Sequence, residues 1–457
     1  MANQLKKEAV ISGAGLVGSL WAIMLARRGY EVSVYERRPD FRNTGFAGGR
    51  SINLALSDRG WKALERAGVD ELIREKAISM AGRMIHSQEG AQSFQPYGQE
   101  GQAIYSVSRS GLNLALVEAA SAYPGVTFHF EHKCQGYQTE KGEVRFLHEA
   151  SQKRIIERPA LLFAADGAFS AVRAALTKQT RFNYSQQYLD YGYKELSIPP
   201  APGGGHRLEP NALHIWPRGN FMLIALPNAD GSFTCTLFLP FEGPVSFEGL
   251  TTDDLVMRFF RRHFPDALAL MPELIQDFNG NPTASLVTVR CSPWHFRNQV
   301  LLMGDAAHAI VPFYGQGMNA GFEDCTLLDD LANKYQEDWG RIMPEFNRTR
   351  IADGNAIADL ALRNFVEMRD LVADPKFQLR KEMEAWLAER YPKEFLPLYS
   401  MVSFSHIPYS RALAEGKAQD QLFESLLSID QVQANWRTNP EVVRRFGAWV
   451  KGREERG

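Results

Sequence analysis

The feature that most constrains this chain is GAGLVG, Gly13 to Gly18, set between an apolar run and a helical one. Ala9-Val10-Ile11-Ser12 reads as a short buried strand, and Leu16 to Arg28 has the periodicity of a helix. Glu31 to Glu36 (EVSVYE) reads as a second strand that ends in an acid. Each position has a physical task in such a unit. Gly13 makes the tight turn, Gly15 lets a pyrophosphate reach the helix N-terminus, and Gly18 lets helix and strand pack. Glu36 is placed to accept from ribose hydroxyls. Ala14 and Arg37, beside these positions, join them as candidates for cofactor binding. The unit predicts an α/β, Rossmann-type dinucleotide domain. Its spacing alone does not choose between FAD and NAD(P).

Two later segments repeat the layout. Leu161 to Arg173 (LLFAADGAFSAVR) is an apolar strand, a turn at Asp166-Gly167 and a helix start with Ser170 as N-cap. Val300 to Cys325 (VLLMGDAAHAIVPFYGQGMNAGFEDC) is a strand, then Gly304-Asp305, a Pro- and Gly-rich loop, and a helix from Met318-Asn319. Glycines at 315 and 317 allow the backbone to approach a ligand closely. Three strand-end loops of this kind gather where open α/β sheets bind ligands. No second dinucleotide fingerprint exists; Gly203-Gly204-Gly205 lies between prolines and reads as a loop.

Residues 180–290 have a different pattern. Ala212 to Trp216, Phe221 to Leu226 and Phe233 to Phe238 alternate, with turns at Gly219-Asn220 and Asp230-Gly231. This predicts an antiparallel sheet. Leu213, Met222, Ile224, Leu226, Thr236 and Phe238 share one of its faces by period two, as a pocket wall or as plain core. Helical periodicity dominates from Glu345 to Glu394, and helices with loops continue to the end. The 457 residues therefore divide into a discontinuous cofactor domain (1–72, 104–178, 290–375), an inserted β-sheet domain (73–103, 179–289) and a C-terminal helical region (376–457).

Composition excludes some functions. The net charge of −2 gives no field for nucleic acid or an anionic membrane. Cys134, Cys235, Cys291 and Cys325 are scattered without a C-x-x-C pair and read as reduced packing residues. The uncharged run Ala9 to Ala26 is about 18 residues, near the length of a membrane span, but serine and glycines interrupt it. A soluble cytoplasmic protein is expected. His129 and His132, the only close histidine pair, read as a surface strand rather than a metal site.

The order of GAGLVG with its acid, AADGAFSAVR and GDAAHAIVPFYGQGMNAGFED resembles the flavoprotein aromatic hydroxylases of the p-hydroxybenzoate hydroxylase-like fold. That resemblance implies bound FAD. Asp305 would meet the ribityl chain, Gly315, Gln316, Gly317, Met318 and Asn319 would lie along the flavin ring, and Arg109 (in SVSRSGLNLAL) would reach the phosphates. Asp166 would lie near the pyrophosphate and be tied to NADPH use. Further segments are similar to the kynurenine 3-monooxygenase family: Arg50 to Ser57, Gly82 to His86, Gln95 to Gly98, Gly192 to Leu196, Pro210 to Pro217, Asn364 to Met368 and Tyr399 to Ser405.

The family resemblance implies an NADPH- and O2-dependent monooxygenase that hydroxylates L-kynurenine at ring C3 through a flavin C4a-hydroperoxide. Flavin does the chemistry, and no side chain is assigned as catalytic. Arg83 and Tyr97 would bind the substrate carboxylate, helped by Asn364 and Tyr399. A planar guanidinium fork suits a carboxylate held in an aromatic pocket. Leu213, Met222, Ile224, Phe238, Pro312, Phe313 and Met368 complete the expected pocket, and Glu100 is a further candidate for the substrate ammonium. NADPH docks transiently, and the protein is a monomer or homodimer. Tyr314 stands where many relatives have His. The alternative is a related flavoprotein hydroxylase acting on another aromatic acid.

Overall fold

The computed structural model describes residues 7–44, 53–372 and 374–454. Arg50, Ser51 and Ile52 of the Arg50 to Ser57 segment thus lie outside the described residues. Five strands run parallel, in spatial order Val126–His129, Glu31–Tyr35, Glu8–Ser12, Leu162–Ala164 and Val300–Leu302, and His295–Phe296 closes one edge antiparallel. The central strands are mostly apolar because helices cover both faces of a parallel sheet: Ile11, Val34, Phe163 and Leu301 are fully buried. Trp21, Phe163 and Trp339 meet edge to face behind them.

The strand order reverses beside Glu8–Ser12, which opens a crevice at the carboxyl ends of the strands. The three loops read from the sequence begin there on adjacent strands. Gly13 has φ +103°, and a Cβ on it would lie 2.4 Å from the Ala165 carbonyl oxygen. A Cβ on Gly18 would lie 2.0 Å from the Gly13 oxygen. No other residue fits either position, so the first two loops close on each other through glycine.

The second sheet has seven strands in the order Ala284–Ser292, Asn183–Ile198, Phe233–Pro240, Met222–Pro227, Ala212–Pro217, Gly82–His86 and Gln92–Pro96. All pairs are antiparallel except Ala212–Pro217 with Gly82–His86. Period two separates its faces. Trp216, Leu223 and Leu237 pack with Phe260 and Phe264 of a helical cover. Leu213, Ile215, Met222 and Phe238 face the other way, toward the nucleotide domain and the C-terminal helices.

Helix Trp339–Val366 starts before the expected Glu345 and runs into a π-helical turn, Glu367–Leu371. Helices Pro375–Arg390, Leu398–Ser403, Tyr409–Leu427 and Pro440–Glu454 follow. They hold a small core of their own around Leu387, Phe395 and Phe423. His129 and His132 flank a turn rather than share a strand, and His129 stacks on Tyr35.

Candidate active site

One cavity of about 380 Å³ runs from the glycine loops to the face of the seven-stranded sheet. At the loop end its walls include Gly15, Gly167, Asp305 and Arg109. Gly15 precedes helix Leu16–Arg27, and nothing lies within 4 Å of where its Cβ would be. The helix N-terminus is therefore open to an anion. Arg109, the first residue of helix Arg109–Ser121, and Asp305, the first of Asp305–His308, are both exposed along the same space. Asn113, one turn beyond Arg109, is buried with both amide atoms unpartnered. A bare helix end, a free guanidinium and a carboxylate along one space fit a phosphate-bearing, hydroxyl-rich cofactor such as FAD.

Glu36 has a different role in the geometry. Its carboxylate accepts from the Ala14 N–H at 2.9 Å and from the Arg38 backbone N–H and Nε at 2.9 and 2.8 Å. Burial opposes its charge, but the Arg38 guanidinium and these N–H groups hold it below the usual carboxyl range. Arg37 beside it is exposed. Asp166 does not reach the cavity wall. One of its oxygens accepts from Ala171 N–H at 2.8 Å, the other is buried without a partner, and burial raises its pKa.

The loop before helix Gly317–Lys334 is fixed by side chains that point away from the cavity. Asn319 donates to the Ala55 and Gly315 oxygens, both at 2.8 Å, and accepts from the Ser57 N–H at 2.9 Å. Gln316 donates to Ser57 Oγ at 3.3 Å. Gly315 has φ +68°, and a Cβ there would meet Ala55 Cβ at 2.9 Å. Gly315, Gly317 and Met318 therefore line the space with backbone and little else.

The far end is built from side chains. Arg83 pairs in register with Leu213, so its side chain shares the cavity face with Leu213, Ile224 and Phe238. It is 7% exposed. One Nη lies 3.3 Å from a Glu367 carboxylate oxygen, while Nε has no partner. Burial works against the guanidinium charge, but Glu367, Tyr97 and Tyr399 together outweigh it and raise the Arg83 pKa. Burial equally opposes the Glu367 charge, but Lys381 and Arg83 lower its pKa. Tyr97 and Tyr399 stack 4.8 Å apart, Tyr399 and Tyr314 stack at 5.4 Å, and the Arg83 guanidinium lies 5.5 and 5.3 Å from the Tyr97 and Tyr399 rings. The Tyr97 hydroxyl is buried with no partner. Burial pushes the tyrosine hydroxyls up, which keeps them protonated.

Pro312, Phe313 and Met368 also line the cavity. Two expected pocket residues stand behind the wall. Met222 is fully buried beneath it, and the Asn364 amide is committed to the Phe313 carbonyl at 2.6 Å. Glu100 is exposed in a turn and does not reach the cavity. Tyr193 and Glu367 were not singled out from the sequence. Tyr193 shares register with Phe238, and Glu367 lies three residues from Asn364 on one helical path, which were the available signals.

Residues 6–343 match the family model described as the FAD binding domain. The chain is 47% identical over 450 residues to the kynurenine 3-monooxygenase of Christiangramia forsetii, which covers 98% of this chain and 100% of that protein. It is 47% identical over 419 residues to the kynurenine 3-monooxygenase of Sus scrofa, covering 91% and 88%. Among solved structures, 2-methyl-3-hydroxypyridine-5-carboxylic acid oxygenase superposes with TM-score 0.64 at 17% identity, over 82% of this chain and 96% of that one. The p-nitrophenol 4-monooxygenase PnpA of Pseudomonas putida gives TM-score 0.65 at 18% identity, over 89% and 98%. Likeness at that identity concerns the fold.

Proposed function

The chain belongs to the kynurenine 3-monooxygenase family, and on that premise we propose that it hydroxylates L-kynurenine at ring C3. L-kynurenine, NADPH, H+ and O2 give 3-hydroxy-L-kynurenine, NADP+ and water. The observation that carries the substrate reading is the pair of buried, unpartnered donors, Arg83 Nε and the Tyr97 hydroxyl, on one wall of the cavity. A free carboxylate would satisfy both. The guanidinium offers it two N–H groups, and Tyr97 and Tyr399 complete its surroundings.

Gly15, Arg109 and Asp305 would hold FAD at the other end, with Gly315, Gly317 and Met318 available to line it. The redox chemistry, hydride acceptance from NADPH and activation of O2, is supplied by FAD when bound. The N-terminus of helix Gly317–Lys334 favours negative charge beside it. Leu213, Ile224, Phe238 and Phe313 hold the substrate ring and exclude water. The aniline nitrogen of kynurenine activates its own ortho carbon, so no side-chain base is assigned. Asn364 acts on the loop at Phe313 and not on substrate. The sheet from 73–103 and 179–289 is the substrate domain, inserted into the FAD domain of 1–72, 104–178 and 290–375, with a helical region at 376–457. The reading includes a cytoplasmic monomer or homodimer; no described helix is long and apolar enough to cross a membrane. Kynurenine is further proposed to accelerate reduction by NADPH, since its arrival favours a reducible arrangement. The deciding experiment combines purified, FAD-loaded protein with NADPH, O2 and L-kynurenine and identifies the product by mass and NMR. Consumption of NADPH with peroxide as the sole product would reject the assignment.

A further inference from the structure

Tyr409 lies outside the cavity, yet it is tied to the loop that lines it. It is fully buried at the start of helix Tyr409–Leu427. Its hydroxyl donates to Gln316 Oε1 at 2.9 Å. Gln316 in turn holds Ser57 and sits between Gly315 and Gly317, the two glycines on the cavity wall. The Tyr409 ring lies between two buried guanidiniums, with Arg59 4.0 Å and Arg350 5.6 Å from its centroid. Arg350 is locked by Asp324 at 2.8 Å and Glu323 at 2.7 Å. The ring therefore has little freedom, and its hydroxyl fixes one side of the loop.

The same short segment carries Tyr399. That residue stands ten positions earlier, in helix Leu398–Ser403, and stacks on Tyr97 and Tyr314 at the Arg83 end. Between the two tyrosines the segment is clamped by Arg59, which donates to the carbonyls of Met401, Val402 and Ile407 and pairs with Glu323 of the loop's own helix. Ser410 adds two bonds to Asp353, at 2.9 and 2.6 Å. One stiff segment thus touches the substrate end through Tyr399 and the glycine loop through Tyr409.

We propose that Tyr409 is a positioning residue for the flavin loop, and that segment 398–409 makes its hold on Gln316 depend on whether the Arg83 end is filled. The inference rests on the proposed function. A ligand that pairs with Arg83 reorganises the stack containing Tyr399. The clamped segment carries that change to Tyr409, and Gln316 shifts the backbone of Gly315 and Gly317. Coupling of equilibria is reciprocal, so the position of the loop must alter kynurenine affinity by the factor by which kynurenine shifts the loop equilibrium.

The test uses FAD-loaded wild type and Tyr409→Phe, which keeps the ring between the guanidiniums and removes the one hydroxyl. Stopped-flow reduction by NADPH is measured with and without kynurenine, together with the kynurenine-induced change in the flavin absorption spectrum. In Tyr409→Phe the ratio of the two rates should fall toward one, and the spectral change should shrink with it. Gln316→Leu should give the same loss, and the double variant should lose no more than either single one. A Tyr409→Phe protein with the wild-type ratio and spectrum overturns the inference alone. So does a double variant whose losses multiply. Wild-type protein whose reduction ignores kynurenine overturns the inference and the proposed substrate control together.

Discussion

The two ends of the cavity are built by opposite means. At the loop end the chain offers backbone, one open helix terminus and exposed charges, Arg109 and Asp305. At the sheet end it offers buried side chains: Arg83 at 7% exposure and Tyr97 at 8%. A phosphate-rich cofactor keeps part of its hydration and needs close backbone approach. A small amino acid must be stripped of water, so its carboxylate needs a desolvated cation already held by a partner. In the proposed reading Glu367 is that partner, and its carboxylate compensates the buried Arg83 charge before substrate arrives. The comparison teaches where single changes hurt most: loss of one side chain is graver at the dry end.

The largest effect is therefore expected at Arg83. Arg83→Ala leaves the substrate carboxylate without its cation and Glu367 with Lys381 alone, at about 2–5 kcal/mol in kcat/KM, as for truncated buried charge pairs. Arg83→Lys should remain harmful because an ammonium cannot form the planar fork. Decarboxylated kynurenine should bind wild type poorly and lose far less on going to Arg83→Ala. If the carboxylate's worth is the same in both proteins, Arg83 does not touch it, and the contrast between the ends disappears. At the loop end, Asp305→Ala removes one charged hydrogen-bonding group. FAD affinity should weaken by about 1.5–3 kcal/mol, read by titrating apoprotein with FAD. Unchanged affinity would remove Asp305 from the site. Gly315→Ala tests the backbone rather than a side chain. Its left-handed φ of +68° and the 2.9 Å approach to Ala55 predict about 1–2 kcal/mol of strain. Calorimetry should show a lower Tm and titration weaker FAD binding; a wild-type Tm would mean the loop relaxes freely.

The same contrast decides what was legible in the sequence. The glycine loops are local: Gly13, Gly15 and Gly18 sit within six residues, and their parallel strands placed all three loops on one sheet edge as expected. The shared face of Leu213, Met222, Ile224, Leu226, Thr236 and Phe238 followed from period two, and the register bears it out. Spacing could not separate Met222 from that wall, because core and lining obey one alternation and only the depth of packing distinguishes them. Arg83 and Tyr97, from one hairpin, meet Glu367 and Tyr399 from two distant segments. No periodicity reports such convergence, and family resemblance reached three of the four. Asn364 sits behind the wall, with its amide nitrogen donating to the Phe313 carbonyl and Met368 Sδ. The tie from Tyr409 to Gln316 had no local signal, since a buried tyrosine opening a helix looks like core.

The two ends meet at Glu195, where the smallest effect is expected. The residue pairs in register with Thr236, a cavity-lining position, two residues from Tyr193, another. Its nearest named charge is Arg109, from the cofactor end. Burial raises its pKa from 4.5 to about 6, against the pull of Arg109. Between those values the folded chain binds more protons here than the unfolded chain. Stability from this group is thus complete below about 4.5 and lost as pH rises through about 6. The carboxyl is only part-buried, so solvent screening holds the effect below about 1 kcal/mol. Glu195→Gln cannot ionise and should lack the loss. Urea unfolding of both proteins from pH 4 to 7 should show wild type falling relative to Glu195→Gln across that interval and running parallel above it. A constant difference at every pH would mean that water reaches Glu195 freely, and the dry character of the sheet end would stop short of the junction with the cofactor loops.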